Sequence, residues 1–101
     1  MLLDHIETEL ELTERHFIVL KKVIEEGPIG ILKLAEVTGM QNHKVRYSLR
    51  VLEQASLIKP SAQGAVPGDA VPKFLKEFEG ELSRINEKLS RIREIEASIP
   101  K

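Results

Sequence analysis

Residues 39–60 read GMQNHKVRYSLRVLEQASLIKP. Val45, Leu49 and Leu52 recur in steps of four and three, the spacing of one face of an α-helix. Gly39 suits the left-handed position at which a preceding helix ends, and Met40 is an apolar turn residue. The pattern predicts a helix from Gln41 to about Ala55, with Val45, Leu49 and Leu52 turned inward. Gln41, Asn42, His43, Arg46, Tyr47 and Arg50 then stand on its outward face.

Upstream, Ile31, Leu34 and Ala35 share one face of a short predicted helix over residues 31–38. PIGI, residues 28–31, is too short for more than a strand stub. Phe17, Leu20, Val23 and Ile24 form the inward stripe of an earlier helix, for which Thr13 is the expected N-cap. Gly27-Pro28 stops that helix, since proline cannot continue it and glycine suits the position after its end. Residues 2–11 place Leu3, Ile6 and Leu10 at helical spacing among acids, which predicts a separate short amphipathic helix that needs a partner.

Downstream, Leu57 and Ile58 begin a short strand. The glycines and prolines between residues 60 and 72 exclude helix and predict a hairpin or an extended loop. Pro72 is a good first helical residue, and a long helix follows. In it Leu75, Phe78, Leu82, Ile85, Leu89 and Ile92 alternate steps of three and four, a heptad seam that Glu96 interrupts before Ile99 resumes the phase. Three segments result: an N-terminal amphipathic helix over 1–12, a folded domain over 13–71, and a C-terminal helix over 72–101.

A net charge of −1 conceals an uneven distribution. Residues 1–12 carry Asp4, Glu7, Glu9 and Glu11 and no lysine or arginine, whereas residues 39–60 carry Lys44, Arg46, Arg50 and Lys59 against Glu53 alone. A local patch governs phosphate contacts more than the total does, because salt screens charges beyond about 10 Å. Cysteine is absent, so disulfides, thiolate metal sites and cysteine nucleophiles are excluded. No apolar run nears the ~20 residues that span a bilayer, and the acids in MLLDHIETEL exclude a signal peptide. A cytoplasmic protein without membrane attachment is expected.

The stretch GPIGILKLAEVTGMQNHKVRYSLRVLEQASLI, residues 27–58, resembles the winged helix-turn-helix domain of bacterial and archaeal transcription regulators of the ArsR and MarR types. The resemblance rests on Leu34-Ala35-Glu36, on Gly39 followed by apolar Met40, on Val45, Leu49, Leu52 and Ala55, and on Leu57-Ile58 leading into the wing. With the preceding helix it covers residues 13 to about 71. It implies a mainly α fold with a small β-hairpin, a DNA-binding domain, and a long C-terminal coiled-coil helix. A plain three-helix bundle is the alternative. Ser56 stands where the family usually has glycine, and Lys59 and Lys73 are the only bases of the wing segment 59–73.

The resemblance implies that the third helix enters the major groove of double-stranded DNA. Asn42 and Arg46 are then the candidate base readers, since asparagine pairs with adenine and arginine with guanine. Gln41, Lys44 and Arg50 are placed for phosphates, with His43 in the groove, Tyr47 offering ring and hydroxyl, and Lys59 at the foot of the wing. Without the resemblance, the same face is an ordinary solvated one. The family's use of terminal helices implies a homodimer through Leu75, Phe78, Leu82, Ile85, Leu89 and Ile92. In an antiparallel pair Glu81 approaches Lys88 of the partner, whereas a parallel pair sets Lys88 beside Arg93, so the charges favour the antiparallel choice.

His5, His16 and His43 lie too far apart for a helical metal pair, and His16 is expected as a first-turn surface residue. GAVPG, residues 64–68, reads as a turn and no phosphate loop is present, so neither an enzyme nor a cofactor is expected. No segment is dedicated to sensing, so a small-molecule effector would have to bind at a dimer interface. The reading of a different class is a winged-helix module that binds proteins and not DNA.

Overall fold

A computed structural model describes residues 1–101. The elements run α1 (Asp4–Glu26), α2 (Ile31–Thr38), α3 (Asn42–Gln54), β1 (Ile58–Lys59), β2 (Val66–Pro67) and α4 (Val71–Ser98). The chain is thus mainly helical, with one two-stranded antiparallel hairpin and a long C-terminal helix. It divides into two compact units, Met1–Val71 and Pro72–Lys101.

The two N-terminal helices expected from the sequence are one. Thr13 is not an N-cap: it lies inside α1, and its Oγ1 donates to the Glu9 carbonyl at 2.8 Å. A threonine satisfied in this way does not interrupt a helix, and no glycine or proline stands between Asp4 and Glu26 to do so. The expected inward stripe of α1 also shifts. Val19, Leu20 and Val23 are buried, Phe17 is half-buried, and Ile24 is exposed. Val19, Leu20 and Val23 make a narrower face than the expected stripe, and it meets α2, α3 and β2. Gly27 caps α1 in an extended conformation, not the left-handed one.

The core of the first unit is aliphatic. Leu34 from α2, Val45 and Leu52 from α3, and Leu57 and Ile58 at β1 close over Val19, Leu20 and Val23. Burying such side chains supplies about 25 cal/mol for each Å2 of apolar surface removed from water. Leu49 is only half-buried, and Ser48 is fully buried. β1 pairs with β2 in the register Ile58↔Pro67 and Lys59↔Val66. The stub at residues 28–31 supplies a single bridge, Ile29↔Ala65, closed by two backbone hydrogen bonds of 3.1 and 2.8 Å.

α2 ends at Gly39, left-handed at φ 72°, and Gln41 (φ −67°, ψ 147°) leads straight into α3. α3 ends on a second left-handed residue, which is not a glycine: Ser56 has φ 60°. The Leu57 N–H donates to the Leu52 carbonyl at 2.9 Å and the Ser56 N–H to the Glu53 carbonyl at 3.0 Å. That is the Schellman pattern, in which glycine is favoured at the position Ser56 occupies. A side chain held left-handed costs about 1 kcal/mol more than glycine does. Ser56→Gly is therefore expected to stabilise the chain by about 1 kcal/mol, read as a rise of roughly 4–8 °C in Tm. An unchanged or lower melting temperature would count against that account of the turn.

In the second unit α4 is unbroken over its 28 residues and begins one residue before Pro72. Leu75, Leu82, Ile85, Leu89 and Ile92 keep 36–51% of their surface exposed. Phe78 is half-buried, and its ring stacks on that of Phe74 at 5.3 Å between centroids. Ile99 lies beyond the last residue of the helix.

Candidate nucleic-acid interface

α3 is anchored from behind by Val45, Ser48 and Leu52. Asn42, His43, Arg46, Tyr47 and Arg50 follow on the opposite face and are exposed, with Gln41 exposed at its N-cap. Gln41 makes no side-chain capping bond, while its carbonyl accepts from the Lys44 and Val45 N–H groups at 3.0 and 3.1 Å. Its amide is left for contacts outside the helix. Lys44 is half-buried at the flank.

Lys44, Arg46 and Arg50 enter none of the side-chain ion pairs of the molecule. Three cations thus stand on or beside one turn-and-a-half of helix with only Glu53 near them in sequence. Lys59 differs from the others: its Nζ lies 3.3 Å from Asp69 Oδ1, so its charge is compensated across the foot of the hairpin. Both partners are exposed, and such a pair contributes at most about 1 kcal/mol. The hairpin tip carries Gln63 and no charged side chain between Pro60 and Gly68.

His16 is not the surface residue expected. It lies mid-way along α1, half-buried, and its Nδ1 shares a 2.8 Å hydrogen bond with the fully buried Ser48 hydroxyl of α3. Its ring also meets that of Tyr47 at 5.7 Å with a 47° tilt. The side chains are 32 residues apart in sequence, and the only local hint was Ser48 falling on the inward face of the apolar beat. Burial holds the imidazole below its usual value near 6.5, Arg15 adds to that effect, and Glu9 opposes it.

The unfolded chain takes up the proton near pH 6.5, while the folded chain resists it to lower pH. This contribution to stability is complete above pH 6.5 and is lost as the pH falls through the lower folded value. Wild type and His16→Gln, melted between pH 5 and pH 8, are expected to differ in slope, the wild type falling more steeply on the acid side. Parallel curves would remove His16 as the source.

No three of the histidines, aspartates and glutamates group closely enough to hold a metal ion. No helix is long and apolar enough to cross a membrane. A shallow hollow lined by Ile29, Ile31, Leu49, Glu53 and Ile58 lies beside the hairpin tip. The remaining sequence-derived candidates, Leu75, Phe78, Leu82, Ile85, Leu89 and Ile92, fall on one stripe of α4 in the second unit. The Phe74 ring beside Phe78 was missed, although an i, i+4 aromatic pair was there to be read. Neither a family model nor a curated protein matches the chain.

Proposed function

We propose that the chain is a sequence-specific DNA-binding transcription regulator of the winged helix-turn-helix type that acts as a homodimer. The observation that carries this reading is the outward face of α3: Asn42, Arg46 and Arg50 are exposed and the two arginines are unpaired, on a helix fixed from behind. The left-handed turn at Gly39 between α2 and α3, and the hairpin after α3, support the same reading. Arg46 and Asn42 read base edges in the major groove, while Gln41, Lys44 and Arg50 hold phosphates. The seam on α4 joins two copies, which brings two recognition helices to a two-fold site.

One observation favours a rival. With Lys59 tied to Asp69 and no base at the tip, the hairpin offers duplex DNA little positive charge. A module that binds proteins would need none. Selection from a random duplex pool separates the two. The DNA reading expects enrichment of a two-fold sequence, with affinity that falls steeply with salt. A pool that stays random, with no duplex retained even at low salt, favours the protein-binding module.

A further inference from the structure

α4 can meet a second copy in two directions, and they differ in what becomes of its charges. With Leu75, Leu82 and Leu89 at a and Phe78, Ile85 and Ile92 at d, Glu81 and Lys88 fall at g, and Glu79, Asn86 and Arg93 at e. A parallel pair sets g against the e position five residues on. Lys88 then faces the partner's Arg93 on both flanks, and no opposite charges meet. The a layer after Leu89 is Glu96, so two carboxylates would also oppose each other across the seam. An antiparallel pair sets g against g. With Leu82 packed on the partner's Ile85, Glu81 meets the partner's Lys88 twice over, and Glu79 meets only the partner's neutral Asn86. Glu96 then lies level with the partner's Val71, at the first turn of the opposing helix, where negative charge is favoured.

Register and helix length fix a distance. The two-fold axis crosses α4 midway between Leu82 and Ile85. Val71, the last residue of the first unit, lies some twelve residues from it, or about 19 Å at 1.5 Å per residue. The two Val71 positions of an antiparallel pair are therefore about 38 Å apart along the coil. A parallel pair leaves them about 10 Å apart, the separation of two packed helices.

We propose that α4 pairs antiparallel with a second copy of this chain in the Leu82-on-Ile85 register. The inference rests on the homodimeric part of the proposed function, and the pairing is tested without DNA. The chain has no cysteine, so introduced thiols report cleanly. Leu75 is level with the partner's Ile92 in the antiparallel register and with the partner's Leu75 in the parallel one. Under mild oxidation of the full chain, Leu75→Cys/Ile92→Cys is expected to form a covalent dimer, and neither single variant is. Phe78→Cys/Leu89→Cys repeats the pattern one layer in, should the first pair disturb folding. Covalent dimers from the single variants overturn the proposal in favour of the parallel coil.

Glu81→Lys is expected to weaken dimerisation about tenfold at low salt, since two attractions become repulsions. Glu81→Lys/Lys88→Glu is expected to restore it, and failure to restore it overturns the register. Sedimentation at micromolar concentration should give twice the chain mass. A monomer overturns the pairing while leaving duplex contact by α3 to its own test.

Discussion

Arg46→Ala/Arg50→Ala is expected to abolish specific duplex binding at physiological salt while leaving the melting temperature within a degree or two. Both arginines are exposed and neither takes part in an ion pair, so the fold loses little with them. At the duplex the loss is large. A well-placed bidentate contact to guanine contributes roughly 1–3 kcal/mol of discrimination, and a dimer loses two of them with Arg46. The loss of Arg50 removes two phosphate contacts, which should flatten the dependence of log K on log salt by about 2. The combined fall is expected to exceed a hundredfold. Titration of a selected duplex at several salt concentrations measures both quantities. Binding as tight as that of wild type at the same salt would mean that the α3 face is not the interface.

The second large effect is expected at Gly64. This residue has φ 128°, a backbone conformation that L side chains rarely adopt, and it closes the hairpin tip through mutual backbone hydrogen bonds with Ser61 at 3.0 and 3.1 Å. A Cβ placed there would stand 2.5 Å from the Ile29 carbonyl carbon and 2.7 Å from its oxygen. Both are backbone atoms of the bridge that ties the stub before α2 to the hairpin, so neither moves aside cheaply. Gly64→Ala should cost about 3 kcal/mol, from backbone strain and overpacking together. In a chain of this length that is a fall of more than about 10 °C in Tm. Denaturant titration should show a lower midpoint at unchanged slope. A loss below about 1 kcal/mol would show that the tip is free to lift away from Ile29.

What could be read from the sequence was local in origin. Gly39 announced the break between α2 and α3, the steps between Val45, Leu49 and Leu52 announced α3, and the seam from Leu75 to Ile92 announced α4. Each of these signals lies within one or two turns of the residues it describes. The misreadings share a cause as well. Thr13 has the chemistry of a cap, yet the same hydroxyl is satisfied by a carbonyl one turn back, and only the absence of a breaker over residues 4–26 favours the single helix. Ser56, by contrast, was marked by the resemblance as standing at a glycine position, and the hydrogen bonds of Leu52, Glu53 and Leu57 close that left-handed turn around it. The bond between His16 and Ser48 joins residues that no periodicity connects. The candidate face of α3 was legible from its own spacing. The ion pair that neutralises Lys59 was not, because Asp69 reaches it across a hairpin whose register had to be seen.

The continuity of α1 gives the molecule a mechanical property. From Asp4 to Glu26 there is no glycine or proline, so the element has no hinge and acts as a beam about 35 Å long. Its first turns present Leu3, Ile6 and Leu10, nearly half exposed, and its middle is clamped to α3 through His16 and Ser48. Leu3, Ile6 and Leu10 thus stand at the far end of the same rigid element that His16 ties to α3.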